Sequence, residues 1–339
     1  MHQVAAVRGP ALAVEFVCAA FGLTGGPGAS IIPVSRGAVG RIWRLDLGAE
    51  RYAVKELFVE PGEESVRREA AFTAHVQAAG IRLPGSVPGS GGRFVAPLAG
   101  DAGDRWLRLY QWIDGAPADL SDPALAARIG DILGRLHVHA LPAQGAPDPW
   151  YETVPGPATW DRLAAAARAQ GASWGEPLAG RADLLAALAG LVTPAARDQL
   201  VTCHRDLHPD NVLVDGSGNL VLLDWDDAGP ACPDRELAAL LAFWHIHDDG
   251  QADDAAIERT LAAYHAAGGP GRLHDEQSFG MYIAGRLNFL QSQASVALDA
   301  AAGPEDRQYA SDEVSDTLAR LPALPLISHL ISVAAAARG

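Results

Sequence analysis

The segment LVTCHRDLHPDNVLVDGSGNLVLLDWDDAG, residues 200–229, constrains the fold more than any other part of the chain. Two apolar strand candidates, NVLV and NLVLLDW, are separated by DGSGN, a turn-forming cluster that reads as a hairpin. The polar loop HRDLHPDN precedes them, and Pro209 breaks any helix through it by removing an amide donor and crowding the preceding turn. The hairpin is expected to carry Asp206, Asn211 and Asp224 toward one edge. A carboxylate free to act as a base, with an amide oxygen and a second carboxylate as hard oxygen donors, suits magnesium-dependent phosphoryl transfer.

The flanking sequence divides in texture. From Ser30 to Phe58, SIIPVSRGAVGRIWRLDLGAERYAVKELF predicts an antiparallel meander of three strands. GEESVRREAAFTAHVQAAG opens on acids and closes on glycine, which predicts a helix from Glu63 to Ala79. GIRLPGSVPGSGG reads as a loop, and RFVAPLAG and DRWLRLYQWIDG as two more strands. Beyond Gly115 the chain turns to Ala/Leu-rich helices such as PALAARIGDILGRLHVHAL and RADLLAALAGL. An α+β chain with a small antiparallel-sheet lobe holding one main helix, residues 1–112, and a larger, mostly helical lobe, residues 113–339, is expected.

HRDLHPDN followed by LLDWDDAGPACPDRELAAL resembles the protein-kinase-like superfamily, whose catalytic loop runs H-R-D-L-x-x-x-N before a metal-binding Asp. Within it the chain looks most like the aminoglycoside phosphotransferase and choline kinase-like group. That resemblance, over residues 30–245, implies a bilobal kinase-like fold, ATP and Mg²⁺ as cofactors, and transfer to a hydroxyl of a small molecule. It assigns His204, Asp206, Asn211 and Asp224 to the defining positions, with Asp206 as the catalytic base and Asn211 and Asp224 as metal ligands. Arg205 replaces the group's usual glycine, Cys232 stands where an aspartate is common, and Glu236 replaces the aspartate before Leu-Ala. No A-P-E follows Asp224, so a small-molecule acceptor is preferred to a protein.

YAVK matches the superfamily's lysine-bearing third strand, and Lys55 is the sole lysine among 26 cationic side chains. Strand alternation puts Ala53 and Lys55 on one face, with Tyr52 and Val54 on the other. A compact ammonium can turn its three donors between phosphates and a helix glutamate, whereas a guanidinium is a committed fork. Glu69 shares an inward stripe with Val66 and Thr73 and is the expected partner; Glu63 and Glu64 fall in the first helical turn, where the dipole alone favours acids. The SRGAVG turn offers Ser35, Gly37 and Gly40 to nucleotide phosphates, although glycine hairpins also arise for conformational reasons. By resemblance, adenine would meet the backbone of Tyr110, Gln111 and Trp112.

The remaining polar residues carry plainer readings. His204 is expected to pack beneath the loop, while His208 either points at substrate or satisfies a carbonyl. Asp226 and Asp227 follow the expected metal ligand and could help neutralise magnesium; a solvated turn is the simpler reading, although Asp227 matches a second acid of the family. Glu236 is expected to brace the loop from a helix start. HIHDDGQADD, with Asp248, Asp249, Asp253 and Asp254, could rim a pocket for an amine or be a solvated loop.

A formal charge of −15 argues against nucleic acid as a partner, because the arginines are scattered. It suits a cationic acceptor only if carboxylates line the pocket, since exposed charges are screened beyond about 8 Å. An aminoglycoside or related basic antibiotic is the first expectation. A metabolite alcohol (amino sugar, choline-like or homoserine-like) is the alternative, and a noncatalytic nucleotide-binding pseudokinase is a third. Cys18, Cys203 and Cys232 lack metal-ligand spacing and read as buried thiols of a reducing compartment. ALAVEFVCAAFGL reads as a surface helix interrupted by Glu15, and no apolar run approaches the roughly 20 residues of a membrane span. No membrane partner and a cytoplasmic location are the expectations.

Overall fold

The computed structural model describes residues 12–98, 105–247 and 249–337, and the chain divides into two compact units, Met1–Pro117 with Leu213–Asp226 and Ala118–Val212 with Asp227–Gly339. The fold is the α+β class expected, with antiparallel sheet in the N-terminal region and helices dominating the C-terminal one.

In the first unit, among the described residues, six strands form one antiparallel sheet: β1 (Ser30–Arg36), β2 (Gly40–Leu47), β3 (Glu50–Leu57), β4 (Ser86–Val87), β5 (Ala96–Leu98) and β6 (Arg105–Gln111), in the order β1-β2-β3-β6-β4 with β5 also on β6. The β2–β3 turn is two residues long, and Gly48 takes φ +67° there, a conformation that costs glycine nothing. One face of the sheet packs Trp43, Leu45, Val54, Leu107 and Leu109 on Val17 and Phe21 of α1 (Val14–Phe21). The run expected as a surface helix therefore buries Val17, Cys18 and Phe21 in the core. Strand β4 falls in a segment read as loop. Its two residues are extended because Tyr110 and Leu109 of β6 pair with them, a long-range cause that local propensity does not carry.

Helix α2 (Glu63–Ala78) turns Val66, Glu69, Phe72, Thr73 and Val76 inward, and Phe72 meets Trp225 edge-on at 5.9 Å. Its first-turn acids are surface groups paired four residues on, Glu63 with Arg67 and Glu64 with Arg68. The predicted hairpin is present: β9 (Val212–Asp215) and β10 (Leu220–Leu222) form a small sheet with β7 (Gly115–Pro117). The Asp215 side chain closes its turn by accepting from the amides of Ser217 and Asn219.

In the second unit, α3 (Leu125–Val138) lies against α8 (Asp254–Ala266). Helices α4 (Pro157–Ala169), α5 (Gly175–Ala179) and α6 (Ala182–Ala189) precede β8 (Val201–Cys203), which pairs with β11 (Gly229–Ala231). Helix α7 (Pro233–His245) buries nearly every side chain, and α9 (Gly280–Leu298), α10 (Pro304–Ala319) and α11 (Leu324–Ala336) complete the unit. All three cysteines are buried and free of disulfides. Among the described residues no single helix is long and apolar enough to cross a membrane.

Candidate active site

Register on the β3–β6 ladder sets the first half of the chemistry. Val54 points into the core, so Lys55 takes the other face, directly opposite Arg108. Like charges at opposed positions repel, and here they are only 7% and 2% exposed. Carboxylates offset them. Lys55 Nζ lies 2.6 Å from Asp224 Oδ1 and 2.8 Å from Asp226 Oδ2. Arg108 Nη1 lies 2.6 Å from Asp226 Oδ1, and its Nη1 and Nη2 donate to Glu69 Oε2 and Oε1 at 2.7 and 2.8 Å. Burial would discharge Lys55, but Asp226 and Asp224 outweigh it and hold the ammonium pKa above its usual value. Burial likewise opposes ionisation of Asp226, and Lys55 and Arg108 win, keeping that carboxyl below its usual range.

The expected Lys55–Glu69 pair is not formed. A planar guanidinium engages both oxygens of one carboxylate at once, which an ammonium cannot match, and Arg108 has taken Glu69 in that way. Asp226, read as part of a solvated turn, is instead a bridge between two buried cations. Arg108 escaped the sequence reading altogether; its one signal was alternation within RWLRLYQ, which needs the strand register to interpret.

Asp224 occupies φ +56°, a left-handed conformation uncommon for a residue with a side chain and concentrated at functional sites. Tyr110 donates to Asp226 Oδ1 at 3.4 Å and stacks its ring 5.1 Å below the Arg108 guanidinium. The amides of Gln111 and Trp112, candidates for adenine, are already given to the carbonyls of Gly85 and Arg51. Ser35 is exposed beside a register shift in β1, and Gly37 stands in open space with its amide bonded to Gly40 O. Gly40 is the residue of that turn with a steric requirement: a Cβ there would sit 2.3 Å from Glu56 O.

In the second unit the β8–β11 ladder, with Gly229 opposite Cys203, fixes the start of the HRDLHPDN loop. His204 is fully buried, and its Nδ1 accepts from the Asp206 amide at 3.4 Å. Asn211 spends its amide nitrogen locally, donating to Asp206 O at 2.9 Å and Asp206 Oδ2 at 3.0 Å, and that nitrogen lies 3.1 Å from His208 Nε2. That leaves its amide oxygen without a protein donor among the described residues, the disposition a hard cation requires. His208 Nε2 is 3.5 Å from Asp206 Oδ2, and its ring lies against Phe243. Burial would raise the Asp206 pKa, but His208, His204 and Asn211 together hold it below its usual value, so the carboxylate stays ionised at neutral pH.

Arg205, where glycine is usual, keeps a glycine-like φ of +71°. Its Nε donates to Asp227 O, and its guanidinium lies 4.5 Å from the Tyr151 ring. Asp227 thus contributes a backbone carbonyl to the loop. Glu236, 1% exposed, accepts from the Arg205 amide and takes a 2.7 Å bond from His137 Nε2. His137 Nδ1 lies 2.7 Å from the Tyr264 hydroxyl, whose oxygen accepts from the Gly271 amide, so the series is hydrogen-bonded from Glu236 to Gly271. Burial raises the Glu236 carboxyl, and His137, His204 and the Arg205 amide together bring it below its usual range. Cys203 lies within reach of this pair, but the His137 and Glu236 atoms are already bonded to each other.

The acidic segment after α7 is structural where it is described. Asp249 accepts from the Gln251 amide, Asp253 caps α8 through the Ala256 amide, and Asp254 pairs with His329 at 2.7 Å. Asp248 lies outside the described residues.

Solved structures share the fold. Amicoumacin kinase hAmiN, in complex with AMP-PNP, Ca²⁺ and Ami, aligns with a TM-score of 0.59 at 16% identity, over 91% of this chain and 93% of its own. Spectinomycin phosphotransferase APH(9)-Ia, in complex with ADP and spectinomycin, gives 0.59 at 13% identity over 96% and 97%. A microcompartment-associated aminopropanol kinase gives 0.58 at 17% identity over 90% and 94%. No curated protein sequence matches the chain. At such identities the likeness establishes the fold, and membership comes from sequence: the APH phosphotransferase enzyme family matches residues 30–275, most of the chain's length, and the protein belongs to that family.

Proposed function

We propose that the protein transfers the γ-phosphoryl group of ATP to a hydroxyl of a small molecule, with Asp206 as the base. The observation that carries this reading is the Asp206–Asn211 arrangement. Asp206 is held ionised, and Asn211 turns its amide nitrogen to that carboxylate, leaving its oxygen for a cation. Asp206 would orient the acceptor hydroxyl and take its proton as the oxygen bonds to phosphorus and ADP leaves. Asn211 and Asp224 would supply oxygen donors to Mg²⁺, and Lys55 would hold the nucleotide phosphates. The bound metal would neutralise charge on the β- and γ-phosphates.

The acceptor is proposed to be a small polar alcohol, with an aminoglycoside or related basic antibiotic ahead of a metabolite amino alcohol. The named activities of the structural neighbours support trying both. A protein acceptor is disfavoured because β11 and α7 follow Asp224 almost at once, leaving no long activation segment.

A panel of aminoglycosides and metabolite alcohols, incubated with enzyme, ATP and Mg²⁺ and read by mass spectrometry for phosphate adducts, tests the reading. Asp206→Ala should lower turnover about 10²–10⁴-fold on whichever acceptor responds. Turnover within a few-fold of the parent would remove Asp206 from the role.

A further inference from the structure

We propose that Asp226, steadied by Arg108, is the residue that positions Lys55 in this chain, and that Glu69 has left that task. The inference rests on the nucleotide-contacting role given to Lys55 above. An ammonium has three donors. Two are in use, on Asp224 Oδ1 and Asp226 Oδ2. Asp224 is the acid assigned to the metal, so Asp226 is the partner Lys55 keeps when that acid is engaged, with the other donors open to phosphate.

Asp226 is built to stay in place. Its Oδ1 takes hydrogen bonds from Arg108 Nη1 at 2.6 Å and Tyr110 at 3.4 Å, leaving Oδ2 to the lysine. Arg108 is fixed in turn by both oxygens of Glu69 and by the Tyr110 ring. Both Glu69 oxygens are turned to Arg108 and neither pairs with Lys55, so the hydrogen-bonded route from helix α2 to Lys55 runs through Arg108 and Asp226. The two acids are therefore not interchangeable. Asp226 acts on the lysine directly, and Glu69 acts on the arginine.

The sole lysine makes the test selective, because ¹⁵N-lysine labelling of the full chain gives a single side-chain signal. Asp226→Asn should shift or broaden that Nζ resonance, and Glu69→Gln should leave it close to the parent position. With calorimetry of ATP and Mg²⁺, Asp226→Asn should weaken nucleotide binding about 10–100-fold, the worth of one charge-assisted hydrogen bond. In a Lys55→Met background the same substitution should change nucleotide affinity by less than about 3-fold.

Three results would overturn the proposal. One is a Nζ shift in Glu69→Gln as large as in Asp226→Asn. Another is an Asp226→Asn penalty that persists without the lysine, which would make Asp226 a metal ligand. The last is an unmoved Nζ signal in a folded Asp226→Asn protein. If Asp226→Asn does not fold, the Glu69→Gln spectrum decides: an unchanged signal supports the proposal and a displaced one ends it. A parent protein that binds no nucleotide would instead overturn the functional reading, while the Nζ comparison still judges the anchor.

Discussion

Glu69 places both carboxylate oxygens on the Arg108 guanidinium, and the pair is 5% and 2% exposed. A buried pair of this kind is weak evidence of net stability, because desolvation consumes much of the attraction, yet removing Arg108 leaves the Glu69 carboxylate buried without its partner. Arg108→Met is therefore expected to cost about 3–5 kcal/mol. Removing both charges together, in Arg108→Met/Glu69→Gln, should recover part of that loss. Urea unfolding of the singles and the double measures the coupling, and a double mutant at or below the sum of the singles would contradict it.

Gly130 and Gly134 let α3 approach the α8 backbone closely: a Cβ at Gly130 would lie 2.2 Å from Thr260 O, and one at Gly134 2.5 Å from Tyr264 O. Alanine is the better helix former by about 1 kcal/mol, so a destabilising Gly130→Ala would report the helix contact rather than propensity. Overpacking should win, with a net loss of about 1–3 kcal/mol. Gly216→Ala, at a position open on all sides, serves as the control and should be near neutral. Equal unfolding midpoints for the two variants would refute the close approach.

Arg205 combines a backbone that prefers glycine with a side chain that makes contacts, so its two contributions can be separated. Alanine and glycine both lose the Asp227 carbonyl bond and the Tyr151 contact. Only glycine relieves the φ of +71°, which costs an L-residue about 1 kcal/mol. Arg205→Gly should consequently be more stable than Arg205→Ala by about that amount in denaturant titrations. Indistinguishable variants would mean that the loop relaxes out of the left-handed conformation.

The hairpin, the α2 helix and the inward face of Glu69 were legible because each is written locally, in a turn cluster, an acidic start and a helical stripe. The alternation that puts Val54 in the core and Lys55 on the opposite face was legible for the same reason. Arg108 was not, because its meaning depends on which residue of β3 lies across from it, and register is a long-range property. Asp226 was misread for a related cause. An acid run after a strand is usually solvated, and what removes this one from water is a pair of cations 118 and 171 residues earlier in sequence. Glu236 was placed correctly at a helix start, but its partner His137 lies 99 residues away and carried no signal.

His245 supplies a pH dependence independent of the phosphoryl-transfer residues. The ring is 5% exposed, and its Nε2 lies 2.7 Å from Thr260 Oγ1, whose hydroxyl already donates to Ala126 O. The nitrogen must then be the donor, which a neutral imidazole satisfies. Burial holds the pKa down to about 4, with Asp253 opposing and Arg259 assisting. The unfolded chain binds this proton near the ordinary value of about 6.5, so as pH falls below that point the unfolded state gains protons that the folded state refuses. The contribution is complete above about pH 6.5 and is lost on acidification toward pH 4, amounting to about 3 kcal/mol in all. Carboxylates titrate in the lower part of the same window, so the quantity to measure is the stability difference between the parent and His245→Asn. That difference should move in the variant's favour from pH 7 to pH 4.5 by more than about 1 kcal/mol. A difference constant across the window would show that the folded protein protonates His245 as readily as the unfolded chain does.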